Sequence, residues 1–252
     1  MSRKGPLPLL VPAALGIAFL AVPLIALLVK APWHAIIDLV TAPASRTALR
    51  LSLECSAAAL ALSIAVGVPL AWMLARLDFP GKSVLRALVL VPLVLPPVVG
   101  GVALLLAFGR HGLVPLHIAF TTRAAILAEA FVALPFLVLS VEGALLALDR
   151  EYEEVAATLG SRPFATFRRV TIPLVAPALA AGSALAWARA LGEFGATVTF
   201  AGSLPGVTQT LPSEIYQQLQ TDPDAAVALS VVLLIVSVAV LFALRGRWRV
   251  AR

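Results

Sequence analysis

The feature that most constrains this chain is a succession of six apolar stretches, each near the length of a bilayer crossing. A helix that spans hydrocarbon needs about 20 mostly apolar residues. The stretches cover roughly residues 9–29, 53–74, 85–108, 124–148, 174–191 and 225–244. Lipid satisfies no backbone polar group, so a spanning segment is either a helix or a strand of a closed barrel. The alternation of apolar and polar residues that barrel strands require is absent. The expected fold is an all-α integral membrane protein with six transmembrane helices. The first stretch follows Arg3 and Lys4, as the core of a signal peptide would. It is too long for that role and lacks a small-x-small cleavage site before Lys30, so a retained helix is expected.

Composition agrees with lipid as the main solvent. Apolar residues make up 61% of the chain and charged ones 13%, about half the charge of a soluble domain. One cysteine, Cys55, excludes a disulfide scaffold. Three scattered histidines, His34, His111 and His117, offer no evident partner for it, and no metal site is expected. The net charge of +6 fits either nucleic acid or basic loops beside an anionic leaflet. Position decides between them. With the N-terminus in the cytoplasm, the inside holds Arg3, Lys4, Arg76, Lys82, Arg86, Arg150, Arg162, Arg168, Arg169, Arg245, Arg247, Arg249 and Arg252. The outside holds only Lys30, Arg46, Arg50, Arg110 and Arg123. That asymmetry places both termini inside and accounts for the charge without nucleic acid. No regulatory domain is expected after the sixth span.

Some residues inside the spans are costly in lipid. Glu54, Glu129, Glu142, Arg189 and Glu193 fall within or near span ends, and a charge at the bilayer centre costs about 2.5–3.5 kcal/mol on insertion scales. Arg189 and Glu193 are four residues apart and share a helix face. They form either a self-neutralising ion pair or part of a hydrated route. Glu54 is expected near an interface. Glu129 and Glu142 lie at different levels of one helix, with no geometry for acid/base catalysis. The third span carries Pro92, Pro96, Pro97, Gly100 and Gly101. Internal prolines bend helices and paired glycines permit close approach. The run suits ordinary bundle packing or a broken helix beside a pathway. The candidate pathway residues are Pro96, Pro97, Gly100, Arg189 and Glu193.

Residues 149–173 differ in character from all that surrounds them. Asp149 is placed to cap a helix, and Glu151, Glu153 and Glu154 follow where the helix dipole favours anions. Tyr152, Val155, Ala156 and Leu159 recur on one face. Gly160 fits a left-handed C-cap, and Pro163 fits the first position of a new helix. Phe164 and Phe167 share a side of that helix, and Pro173 marks the entry to the fifth span. The pattern predicts two short helices joined by a tight Gly-Ser turn, suited to a groove on a partner. Three glutamates at its start argue against an anionic membrane surface.

At this point the residues resemble a known family. Glu154, Ala156 and Gly160, with Val170, Ile172 and Pro173 downstream, are similar to the EAA loop of permease subunits of binding-protein-dependent ABC importers. Val155 stands where that pattern has a first alanine. The runs Val91–Gly100, Phe108–Leu113 and Leu191–Pro212 resemble molybdate or tungstate importer permeases; Gly192–Gly195 is also similar to sulfate permeases. The resemblance implies that Glu151, Glu154, Val155, Ala156, Ala157, Gly160, Ser161, Arg162, Pro163 and Phe164 form a coupling helix that docks on a cytoplasmic ATPase.

The chain has no G-x4-GK[ST] phosphate loop, so it is not expected to be an enzyme. ATP and Mg would be bound by the partner, and no cofactor is expected in this chain. The resemblance further implies a homodimer with two cytoplasmic ABC ATPase subunits and an extracytoplasmic oxyanion-binding protein. It would sit, multi-pass, in a bacterial or archaeal plasma membrane, and its cargo would be molybdate or tungstate, with sulfate or thiosulfate as the alternative. A channel or secondary transporter would give no reason for the EAA loop. An intramembrane enzyme would need a catalytic set, and the aspartates all lie in loops.

Overall fold

A computed structural model describes residues 7–114 and 116–248, with side chains described for 10–114 and 116–240. Arg3, Lys4, Arg249 and Arg252, counted in the charge asymmetry, lie outside the described residues, as do the side chains of Arg245 and Arg247. All regular elements among the described residues are helical: α1 (Leu7–Lys30), α2 (Ile36–Thr41), α3 (Pro43–Arg76), α4 (Lys82–Val94), α5 (Pro97–Phe108) and α6 (Thr122–Ala147). They continue with α7 (Glu151–Thr158), α8 (Pro163–Thr166), a π-helical turn (Phe167–Thr171), α9 (Ile172–Leu191), α10 (Gly195–Phe200), α11 (Leu211–Thr221) and α12 (Pro223–Trp248). Five of these segments are long and apolar enough to cross a membrane, and the bent pair α4–α5 makes up to six.

The centre of the bundle is α3, α6 and α9, packed side by side. Small residues allow this closeness, as lipid-embedded helices require. Gly67 of α3 faces Leu134 and Leu137 of α6, and Gly182 of α9 faces Ser140 of α6. Two larger apolar cores result, beside a small third one that joins Ala48 of α3, Leu211 of α11 and Leu229 of α12. One, at the end of the bundle that carries α7, joins Leu74, Val89, Leu137, Val141 and Leu145. The other, at the opposite end, joins Cys55, Leu104, Ala128, Ala196 and Phe200.

The third apolar stretch is not one rod. The helix axis bends by 118° between its halves, α4 and α5. Of the prolines in this run, Pro92 lies inside α4, and the break falls at Leu95–Pro96. The reason is steric. A residue before proline is pushed out of the helical region, and both Leu95 (ψ 134°) and Pro96 (ψ 133°) precede one. Pro97 then starts α5 at a position where its missing N–H costs nothing.

Other boundaries moved. The second stretch, expected over 53–74, is a helix from Pro43 to Arg76. The second helix of the hairpin is not a separate short element. From Pro163 it runs through the π turn into α9, so the fifth span is helical from Pro163 to Leu191. Pro173 sits just inside α9 without breaking it. The wider register of the π turn, with Ile172 N–H donating to Phe167 C=O, carries the chain past the residue that lacks a donor. The short helices α10 and α11 fill a region where the apolar pattern gave no element.

Candidate functional site

The hairpin after α6 is built as follows. Helix α7 starts at Glu151, one residue later than an Asp149 cap predicts; Asp149 Oδ1 still accepts from Glu151 N–H at 3.0 Å. The helix ends in a Schellman arrangement. Ser161 N–H donates to Ala156 C=O at 3.0 Å, and Gly160 N–H donates to Ala157 C=O at 2.9 Å. This closure requires the left-handed conformation at Gly160, whose φ is +81°. Thr166 Oγ1 donates to Ser161 Oγ at 2.9 Å and braces the turn. Pro163 then begins α8.

The apolar residues of α7 do not face the bundle. Tyr152, Val155 and Leu159 are exposed, Leu159 to 83%, and Phe164 beside them is exposed as well. Glu151, Glu154, Ala157, Arg162 and Pro163 are exposed, while Ala156 and Ser161 are half-covered. No residue of α7 is buried. The hairpin therefore projects an apolar cap, edged by carboxylates, away from the helices that carry it.

What holds the hairpin is a polar cluster together with one aromatic contact. Arg76, at the end of α3, has a side chain only 6% exposed. Its Nη1 donates to Leu145 C=O at 2.8 Å, and its Nη2 to Leu148 C=O at 3.3 Å. Leu145 is in the last turn of α6, where carbonyls lack helical donors and a cation is favoured. Arg76 Nε lies 3.0 Å from Glu153 Oε2 on α7. That approach is a charge contact without hydrogen-bond alignment, since Nε has no aligned acceptor. Glu153 Oε1 accepts from Thr171 Oγ1 at 2.8 Å. Trp72 of α3 packs edge-on against Phe167 with ring centroids 6.1 Å apart. Nearby, Arg86 of α4 donates twice to the buried Glu142 Oε1 of α6, at 2.9 and 2.5 Å. In the α3–α4 loop, a hydrogen bond from Lys82 holds the Asp78 carboxyl below its ordinary range.

The remaining candidates gather at the other end. Glu193 is 1% exposed; its Oε2 lies 2.6 Å from Arg189 Nη1, whose side chain is 29% exposed. Glu193 Oε1 accepts from Ala196 N–H at 2.8 Å, so one carboxylate both pairs with α9 and caps the start of α10. Helix α5 crosses α10 closely. A Cβ on Gly101 would come within 2.8 Å of Ala196 C=O, and one on Gly195 within 2.9 Å of Pro97. Gly100 faces the Phe131 ring of α6. Pro96 and Pro97 are exposed at the bend. Glu129 is buried on α6, and its Oε2 has no hydrogen-bond partner. Glu54 pairs with Arg50 at 2.6 Å on an exposed surface. Among the described residues, no group of three or more metal-ligating side chains is gathered.

Sequence reasoning missed Arg76, Glu153 and Thr171 as a unit. Glu153 read as one of three dipole-favouring glutamates, and Arg76 as one of many inside charges. The only available signal was a basic residue closing a helix.

Residues 67–248 match the family described as binding-protein-dependent transport system inner membrane component, and the chain belongs to it. It is a multi-pass inner-membrane transport component. The chain is 52% identical over 243 residues to the molybdenum transport system permease protein ModB of Mycobacterium bovis, covering 94% of this chain and 92% of the relative. It is 38% identical to the sulfate transport system permease protein CysT of Synechococcus elongatus, covering 90% and 86%. A bacterial ABC transporter involved in the import of the acidic polysaccharide alginate shares the fold, with a TM-score of 0.77, 18% identity and coverage of 97% and 95%.

Proposed function

We propose that this chain is the membrane-spanning permease of an ATP-driven importer for molybdate. In this reading it works as a symmetric homodimer with two cytoplasmic ABC ATPase subunits and an extracytoplasmic oxyanion-binding protein. ATP and Mg belong to the ATPase; the chain itself holds no cofactor. The observation that carries the reading is the exposed apolar cap of Tyr152, Val155, Leu159 and Phe164 on a hairpin fixed to the bundle. A contiguous exposed apolar face of this kind marks a surface for a partner. Residues 151–164 form the contact, and the α7 end of the bundle is cytoplasmic. The basic residues Arg76, Lys82, Arg86, Arg150, Arg162, Arg168 and Arg169 near that end support this orientation.

Transport proceeds by alternating access. ATP closes the ATPase pair, the docked hairpins approach one another, and the helices they are fixed to open the opposite end toward the binding protein. The pathway runs along the two-fold axis past Pro96, Pro97, Gly100, Arg189 and Glu193. A dianion would be repelled by a free carboxylate. The Arg189 guanidinium and the Ala196 N–H neutralise Glu193 in advance.

Molybdate is favoured over sulfate by the 52% identity to the molybdenum permease against 38% to the sulfate one. Proteoliposomes holding the permease and ATPase, supplied with a loaded binding protein, test the proposal. Uptake of molybdate that requires both ATP and the binding protein is expected, with weak competition by sulfate. Uptake that persists without the ATPase would replace the proposal with a channel or secondary transporter, and stronger uptake of sulfate would reassign the cargo.

A further inference from the structure

Helix α7 has an unusual attachment. None of its residues is buried, so apolar packing does not anchor it. Its side-chain link to the spanning helices is Glu153, one of whose carboxylate oxygens lies 3.0 Å from Arg76 Nε while the other accepts from Thr171 Oγ1 at 2.8 Å. Arg76 in turn closes α6 through the Leu145 and Leu148 carbonyls. Two side chains thus bring together α3, α6, α7 and the π turn that leads into α9. A guanidinium can do this because its two Nη donors reach the α6 carbonyls while its charge lies beside the Glu153 carboxylate; an ammonium is a point charge on a flexible stem.

We infer that Arg76 and Glu153 are positioning residues for coupling: they make the hairpin and the ends of α3 and α6 one rigid block, so that displacement of α7 moves the spanning helices. This rests on the reading of the hairpin as the ATPase contact. Without the pair, α7 stays attached only by its two backbone connections, residues 148–150 from α6 and the turn at Gly160, about which it tilts. The partner's motion is then absorbed by the tilt instead of moving α3 and α6. Binding of the ATPase is not the function of this pair, because Glu153 faces inward, away from the exposed cap of Tyr152, Val155, Leu159 and Phe164.

The test uses the full complex in proteoliposomes, with molybdate and the loaded binding protein. Glu153→Gln keeps size and removes charge on a side chain that is 21% exposed, so folding is expected to survive. Arg76 variants lose the closure of α6 and serve only as a second comparison. The expected result for Glu153→Gln is ATPase co-purification within twofold of the parent, and at least fivefold fewer molybdate ions imported per ATP hydrolysed. Thr171→Val should lower the same ratio by a smaller factor, while Thr171→Ser, which keeps the hydroxyl, restores it. An unchanged import-to-hydrolysis ratio in Glu153→Gln overturns the inference. So does a loss of co-purification that matches the loss of uptake, which would make Glu153 a docking residue. A Leu159→Cys cross-link to the ATPase separates the two levels. If it fails in the otherwise unaltered chain, the coupling reading itself is wrong. If it forms equally with and without Glu153→Gln and the ratio is unchanged, only the inference fails.

Discussion

Replacement of Gly160 isolates the backbone's part in the hairpin. A Cβ built there meets nothing within 4 Å, so a substituent causes no collision within the chain. The cost is conformational. Gly160 has φ +81°, and a non-glycine residue held in that region costs of order 1–3 kcal/mol, with a β-branched residue at the upper end. If the Schellman closure is what presents the cap, that penalty lowers the population of the docking-ready turn by about 5–150-fold. Asparagine tolerates left-handed backbone far better than valine. We therefore expect the order Gly ≥ Asn > Ala > Val in ATPase co-purification and in ATP-dependent molybdate uptake, with protein yield held constant. Wild-type uptake by Gly160→Val would refute the role of the turn. Equal defects in Gly160→Asn and Gly160→Val would place the cause in the side chain at the contact surface and refute the backbone argument.

Gly101→Ala should lower the thermal stability of the solubilised protein by about 1–3 kcal/mol, because the new methyl overlaps Ala196 C=O and Thr199 Cβ. Gly100→Ala, opposed only by the Phe131 ring edge at 3.2 Å, should cost less; the reverse order in a melting series would reject the α5–α10 crossing. Arg86→Met leaves Glu142 buried without its partner, a loss of up to about 3–5 kcal/mol for fully buried pairs. It should be smaller here because Arg86 is 41% exposed. The double Arg86→Met/Glu142→Met variant should be more stable than Arg86→Met, and a denaturation cycle showing additive losses would contradict the pair. Arg189→Ala should abolish most uptake, and adding Glu193→Gln should recover stability but not transport. Full uptake by Arg189→Ala would remove that pair from the pathway.

The parts of the fold that were legible in the sequence are those set by local chemistry. Span positions follow from apolar length. The hairpin turn follows from Gly160 and Pro163, whose backbone preferences act whatever surrounds them. The pairing of Arg189 with Glu193 was expected from their four-residue spacing, although Glu193 lies two residues past the end of α9 and shares no helix face with Arg189. The prolines of the third stretch left ordinary bundle packing and a broken helix as alternatives, and placing the break at Leu95–Pro96 and not at Pro92 depended on two residues in succession each preceding a proline. The illegible parts are long-range. Arg76 meets Glu153 and the α6 carbonyls only after about 70 intervening residues have folded back. Helices α10 and α11 were missed because their segment mixes buried polar groups with apolar ones. Thr208, Thr210, Ser213 and Glu214 are all buried there, and Ser52 of α3 accepts the Leu211 N–H at 2.6 Å. Polarity that packs inside protein looks, in sequence, like a loop.

Charged pairs tie three of the shorter helices to long ones, and at two of them the reason is a lack of buried side chains. Long helices hold their places by apolar and small-residue packing across α3, α6 and α9. Helices α4 and α7 have too few buried side chains for that, whereas α10 buries Ala196, Thr197 and Phe200. Helix α4 buries Val89 alone, and α7 buries nothing. Each of the two carries, or is met by, a charge whose partner sits on a long helix: Arg86 with Glu142, and Glu153 with Arg76. At the far end, Glu193 pairs with Arg189 of α9 and caps the six-residue α10. Buried ion pairs add little net stability compared with apolar replacements, because desolvation offsets their attraction. Their direction is what apolar contact cannot supply. An apolar face slides at small cost, whereas a carboxylate shared between two donors has one favourable position. In a transporter whose short elements must follow the long ones without slipping, that directional hold is the property the charges contribute.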